Sequence, residues 1–473
     1  MTDFNPSLPN RPGLLRREWI AATGGLGAYF AGQPDSGSVF SPRSNIAHAD
    51  NDFLATPYAT AKRCIVLFLL GGPPQHETWD PKPEAPTEIR GPYQPIQTVT
   101  PGLLVNELMP RTAMLTDRIA VLRAMSTNDN AHSSSGYWML TGTPHIPTNN
   151  ENATPGPPND GPCLAALVSR LSHENPSIPA AVRLPEEIWN TGRIVWPGQD
   201  AGRLGRKADP WLLTCNPNDA NFVVPDLNLP GEITADRMQH RRALLELADR
   251  QWQNSVPSLP MRDWDLVSQQ ALGLLHSTNA RGVFDLDQEP EEIRDRYGRN
   301  RFGQSVLLAR RMLEAGVRIV QVNWTRWDYD TSSNPAWDTH SKNADRLKND
   351  LMPPMDHAYA SLLEDLETRG MLAETVVILM GEFGRTPRIN ANGGRDHWGH
   401  VFSTALAGGG IQGGVVYGAS DPIGGYPHEG RLEPQDLAAT LFHCLGYAHD
   451  MVVPDAFGRP MPLSTGQPIR AIL

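Results

Sequence analysis

A doubly wound α/β fold, with a mostly parallel sheet covered by helices on both faces, follows from three observations on this 473-residue sequence. Short apolar runs end in Gly or Pro, as buried parallel strands do. A long segment of helical period stands between two of these runs, as a crossover helix does. His, Asp and Glu gather beside the strand ends, where open parallel sheets bind their ligands.

The first strand is expected at residues 64–70 (CIVLFLL), closed by Gly71, Gly72, Pro73 and Pro74. Residues 119–123 give a second, 317–324 a third that alternates, 375–380 (TVVILM) a fourth ending at Gly381, and 404–407 a fifth before Gly408. Between the third and fourth, Leu347, Leu351, Met355, Tyr359, Leu362, Leu363 and Leu366 keep one apolar helix face, and Arg369 followed by Gly370 supplies a basic last turn and a C-terminal stop. Residues 294–315 predict a helix feeding the third strand, and 437–445 a late helix. The stretch from about 145 to 290 is rich in Pro and Asn before turning helical at 237–253 and 265–278, and reads as an insertion shaping one side of a site.

Composition narrows the function. The chain holds 42 Gly and 43 Pro, about 18 % of its residues against about 12 % in average usage, which predicts a loop-rich protein. Hydrophobic residues at 40 % and 12 Trp are enough to build a core. A net charge of −11, with no dense Lys/Arg run in the body of the chain, argues against nucleic acid as a partner. Four cysteines without a C-x-x-C pair exclude a zinc ribbon and a disulfide scaffold, leaving one or two disulfides open. Arg16 and Arg17 precede a short Gly/Ala-rich apolar run, the pattern of a twin-arginine export signal over residues 1–50, so an exported, periplasmic or extracellular protein is expected. That run is too short to span a membrane, and no transmembrane span is expected in the mature chain.

The polar residues fall on one inferred edge. His76 and Asp80 follow the first strand; Asp129, His132 and Ser133 the second; Asp328, Asp330, Asp338 and His340 the third; Glu382 and Arg385 the fourth. Asp396, His397 and His400 stand just before the fifth. His with carboxylate suits a divalent Zn, Mn or Fe better than Ca or Mg. Ser133, Ser134 and Ser135 open a helix, where they cap it or form an anion site. Arg385 pairs with Glu382 or clamps an anionic oxygen.

Six segments carry a resemblance: LGGPPQHETWD at 70–80, NDNAHSSSGYWMLTG at 128–142, WDTHSKN at 337–343, GEFGRTP at 381–387, GRDHW at 394–398 and AGGGIQGG at 407–414. Together they resemble the family called domain of unknown function 1501, over residues from about 63 to 463. The resemblance implies a twin-arginine leader and a sulfatase-like domain of the alkaline phosphatase superfamily over 60–470. It also implies a metal site in which Asp338, His340, Glu382 and His397 are ligands, with His132, His76 and Asp80 as replacements. The sequence departs from that superfamily in three places, one of them Phe383, which stands where the second ligand closing the fourth strand belongs. Gly71 and Gly72 stand where a metal-binding Asp belongs, and the nucleophile position falls on His132, one residue from Ser133.

The expected function is therefore a metal-dependent hydrolase of a sulfate or phosphate ester, acting on a small anionic ester or a sulfated or phosphorylated carbohydrate. Ser133 is the candidate nucleophile and Arg385 the candidate anion contact. The alternative is a non-catalytic binding or scaffold protein with the same fold and a degenerate site.

Overall fold

Seven residues of alternating destination make the central strand. In the computed structural model, β1 (Arg63–Leu69) sends Ile65, Leu67 and Leu69 into one hydrophobic core and Cys64, Val66 and Phe68 into another, so both faces of the sheet are covered. This is why the run is apolar throughout instead of alternating. The structure describes residues 59–172, 178–190, 192–224, 282–326 and 334–473, with a few positions between 237 and 247. The leader at 1–50, Asp328, Asp330 and the helix expected at 265–278 lie outside the described residues, as does most of the helix expected at 237–253.

The other sheet strands are β2 (Ile119–Met125), β3 (Ala181–Leu184), β4 (Trp211–Leu212), β5 (Ile319–Trp324), β6 (Thr375–Met380), β7 (Phe402–Ala407) and β8 (Val416–Tyr417). They pair in the order β8-β2-β7-β6-β1-β5-β3-β4. Every pairing is parallel except those of β7, which runs against both β6 and β2. That reversal positions the site. The loop entering β7 lies at the same sheet edge as the loops leaving β1, β2, β5 and β6.

Helices α1 (His132–Thr141), α2 (Leu164–Leu171) and α6 (Pro434–Cys444) contribute to the core on one face. Helices α3 (Glu291–Tyr297), α4 (Arg301–Glu314) and α5 (Met352–Thr368) contribute to the other. The helix expected at 294–315 is two helices. Gly298 turns the chain at φ +94°, and the Asn300 side chain accepts from Gly303 N at 2.8 Å to start α4. The helix expected from Leu347 also changes form. Leu347–Leu351 is a π-helical turn and α5 begins at Met352, because Pro353 and Pro354 lack the N–H groups that an α-helix through that turn would use. α5 does stop as the sequence predicts, with Gly370 at φ +67°. Cys64, Cys163, Cys215 and Cys444 are all buried free thiols. Among the described residues no helix is long and apolar enough to cross a membrane.

Leu307 of α4 is fully buried against the sheet. Leu307→Ala is expected to cost about 2–5 kcal/mol of stability. Denaturant unfolding measures that loss, and the contents of the distant edge site should stay unchanged per folded molecule.

Candidate metal centre

The turn leaving β1 is the floor of the site. Gly71 sits at φ +109°, and a Cβ there would lie 2.3 Å from Asp338 N; a Cβ on Gly72 would lie 2.5 Å from the Phe383 ring. No side chain fits at either place, so the Asp that the resemblance asks for cannot be accommodated without moving the Asp338 loop. What the turn offers is an N–H: Gly71 N donates to Glu382 Oε1 at 2.9 Å.

Glu382 lies two residues beyond the end of β6 and is buried. The same Oε1 lies 2.7 Å from His132 Nδ1, at the first residue of α1. The carboxylate thus stands behind His132 and orients its ring; its Oε2 has no hydrogen-bond partner among the described residues. His132 Nε2 points the other way, 3.4 Å from Asp338 Oδ2. Burial disfavours a charged His132, yet Asp338 and Glu382 outweigh it and raise its pKa to about 10.

Asp338 gathers the remaining groups. Its loop is tied to the end of β1 by Trp337 N donating to Leu70 O at 3.0 Å. Asp338 Oδ1 lies 3.0 Å from His340 Nε2 and 3.1 Å from His397 Nε2, and these two ring nitrogens are 2.8 Å apart. Burial opposes the Asp338 charge, but Arg385, His132 and His340 hold its carboxyl well below the usual range.

The outer ring nitrogens decide what this triangle is. His397 Nδ1 lies 2.8 Å from the carbonyl O of Asn130, and His340 Nδ1 lies 2.8 Å from Asp396 Oδ1. Both partners are acceptors, so both Nδ1 atoms carry the proton, and in the neutral rings both Nε2 atoms present lone pairs to each other beside a carboxylate. Such a set repels itself unless a cation or a proton sits within it. His340 answers with a raised pKa, driven first by its hydrogen bond to Asp338. His397 stays neutral, since burial lowers its pKa to about 3. Two imidazole nitrogens and a carboxylate oxygen, each held from behind, fit a divalent cation. His132, Asp338 and His397 also place one ligand atom each within 4.8 Å of one another.

Several expectations are corrected. His76 and Asp80 are not at this site: His76 Nε2 is bonded to Ile423 O at 2.7 Å, and Asp80 is engaged by Lys82 and Ser420. Glu382 stands behind His132 instead of joining the triangle. Ser133 is fully buried and turned away; its hydroxyl is 2.9 Å from Asn150 O and 2.6 Å from Glu151 O, and it accepts from Ala153 N. The three serines lie inside the first turn of α1 and do not cap it: Ala131 is the cap residue, and Asp129 Oδ1 accepts its N–H. Arg385 is fully buried and spends its N–H groups on Gly71 O, Gly72 O, Arg395 O and Asp338, which locks the turn to the triangle and keeps it from meeting a ligand. Ser133→Ala is expected to cost about 1–3 kcal/mol by orphaning the 150–153 loop, with metal content unchanged. Unfolding and metal analysis check this, and wild-type stability with abolished ester turnover would return Ser133 to the role of nucleophile.

The triangle faces a cavity of about 460 Å³ whose walls include Glu151, Trp189, Asn190, Trp196 and Arg326. Trp196 packs near the His132 ring, centroids 5.8 Å apart, and donates from Nε1 to Asn190 Oδ1 at 2.6 Å. Sequence reading missed these wall residues, since only the folded chain brings them to the edge. Asn130, by contrast, stands two positions from His132 in the 128–142 segment and was overlooked beside it.

Sheet order, a site at the strand ends and a His/Asp triangle define a doubly wound α/β protein with a candidate metal centre at its carboxyl edge. The chain belongs to the family described as "Protein of unknown function (DUF1501)", whose model matches residues 61–473. A search of curated protein sequences finds no match. Similar solved structures include Ps i-CgsB in complex with k-i-k-neocarrahexaose (11 % identity, TM-score 0.39, covering 82 % of this chain and 72 % of that one). They also include the PsFucS1 sulfatase from Pseudoalteromonas sp. (13 %, 0.37, 82 % and 68 %). A third is BT4656 in complex with D-glucosamine-2-N,6-O-disulfate (12 %, 0.35, 87 % and 82 %). The strand order and the family match carry the fold assignment; no residue role passes from these structures to this chain.

Proposed function

We propose that this protein is an exported, metal-dependent hydrolase of sulfate or phosphate esters, acting on a carbohydrate. The observation that carries the reading is the triangle of His340 Nε2, His397 Nε2 and Asp338 Oδ1, with separations of 2.8–3.1 Å, opening on the cavity. The disulfated glucosamine named with BT4656 is a ligand of the same class, and Arg16 and Arg17 support export through the twin-arginine route. Residues 60–470 are read as one domain; the stretch at about 145–290, expected as an insertion, instead carries β3 and β4 of the central sheet and also supplies Glu151, Trp189, Asn190 and Trp196 to the wall.

His340, His397 and Asp338 would hold the cation, which supplies Lewis acidity and a more acidic water. Its donor set favours Zn, Mn or Fe. Asp396 and Asn130 fix the tautomers of the two histidines, and Arg385 fixes Asp338. His132, backed by Glu382 as a carboxylate–imidazole pair, presents Nε2 to the cavity. Its raised pKa holds it as the imidazolium, so it gives its Nε2 proton to the leaving alkoxide oxygen, while the proton of the attacking water goes to solvent. A side-chain nucleophile is then unnecessary, which agrees with the inward turn of Ser133.

Metal analysis of folded protein from the exported fraction, followed by a panel of aryl sulfate and aryl phosphate esters, tests the reading. About one transition-metal ion per chain and turnover of one ester class are expected; absence of stoichiometric metal overturns it. A second reading, a non-catalytic binding protein, is favoured by the closed Gly71-Gly72 turn and the buried Ser133. Bound metal without turnover of any ester would select it.

A further inference from the structure

The segments 126–130 and 397–400 are zipped together as a partition with two working faces. Thr127 N and Asn128 N donate to Gly399 O at 2.9 Å, and Gly399 N donates to Asn130 Oδ1 at 2.7 Å. On one face, Asn130 O holds His397 toward the metal triangle. Toward the other, Asn128 Oδ1 lies 3.0 Å from His400 Nδ1, and Asn128 lines a second, shallower cavity of about 360 Å³ with Ser126, Tyr426, His428, Glu429 and Arg431.

This groove has an aromatic floor. Tyr426 is 51 % exposed, yet its ring is set from behind by two others: His400 at 5.2 Å and Trp398 at 5.5 Å between centroids. Trp398 is itself pinned, donating from Nε1 to Gly425 O at 2.5 Å. The Tyr426 backbone N–H is tied to Asp421 Oδ2 at 3.1 Å. A large ring held rigid at the surface loses little freedom on binding, which is what a stacking platform needs. The polar groups around it are mixed in sign. Arg431 is already paired with Glu433 at 2.8 Å, and Glu429 stands beside it, so the groove does not concentrate charge for an anion. Asn128 holds a positive φ of +53°, and its Nδ2 has no hydrogen-bond partner among the described residues.

We propose that this groove is a saccharide-binding site for an uncharged pyranose unit. The weakly positive C–H face of the sugar stacks on the negative face of the Tyr426 ring, while Asn128, His428 and Glu429 bind its hydroxyls. The site is separate from the metal triangle and does not depend on the hydrolase reading.

The test is calorimetric titration of the full exported chain with four neutral hexasaccharides: cellohexaose, chitohexaose, xylohexaose and neoagarohexaose. At least one is expected to bind with one site per chain. Tyr426→Ala should weaken that affinity by about tenfold or more, while Tyr426→Phe, which keeps the stacking face, should bind as the wild type does. His340→Ala, which alters the metal triangle alone, should also bind as the wild type does. Failure of all four sugars to bind, or equal binding by Tyr426→Ala and wild type, overturns the proposal. Loss of binding in His340→Ala would put the sugar in the first cavity and overturn it too. Ester turnover enters none of these readouts, so failure of the hydrolase reading leaves them intact.

Discussion

His340→Ala and His397→Ala are each expected to lower metal affinity by at least on the order of a hundredfold, since loss of a mere supporting partner behind a ligand costs about 10–100-fold. Each substitution removes one of the three converging ligand atoms. His340 is partly exposed, so the fold should survive its truncation. Asp396→Asn is a finer probe. It keeps an acceptor oxygen facing His340 Nδ1 but removes the charge, and should fall in the milder 10–100-fold range, roughly. Metal content after dialysis against a graded series of chelators measures all three. Metal retention in both alanine variants equal to that of wild type would remove the triangle as the binding site.

Arg395→Met is expected to destabilise the protein by about 3–5 kcal/mol, the cost of leaving one partner of a buried ion pair alone. Arg395 and Glu77 are both fully buried, with Arg395 Nε 3.0 Å and Nη2 2.5 Å from Glu77 Oε1. The same guanidinium donates to Thr386 O at 3.0 Å and Ile89 O at 2.7 Å, joining the segments after β1 and β6 under the site. Burial already raises the Glu77 pKa above its ordinary 4.5 despite the counter-charge of Arg395. Without Arg395 it must rise further. A carboxyl whose folded pKa is raised binds more protons folded than unfolded, so its contribution to stability is lost as pH climbs from 4.5 through the folded value. The deficit of Arg395→Met relative to wild type should accordingly be smaller at about pH 4.5 than at about pH 8. Urea unfolding at the two pH values decides; a deficit independent of pH would mean that Glu77 is not the group left uncompensated.

Five of the eight sheet strands were legible because burial on both faces forces an apolar run, and residues 375–380 could be bounded by sequence alone; β3, β4 and β8, of 4, 2 and 2 residues, are too short to leave such a run. The helix before β6 was legible in period and in its glycine stop; its start was not, because two prolines shift hydrogen bonding in a way that apolar spacing does not record. At the site, the sequence brought the right loops to one edge, and Asp338, His340 and His397 were among the residues so placed. It could not say which way each side chain turns. His76 and Asp80 occupy the loop after β1 as the pattern expects, yet partners near residues 420–423 draw them elsewhere. Ser133 and His132 are adjacent on α1 and face opposite surroundings.

By itself the sequence determined the fold class, the family and the glycine turn after the first strand. These rest on local rules: which residues must be buried, and which backbone only glycine adopts. The tertiary structure alone decided that Glu382 backs His132, that Arg385 serves the turn, and that three ligand atoms converge. Those facts depend on pairs as far apart as 314 positions, closed by hydrogen bonds and packing that no spacing in a single sequence encodes.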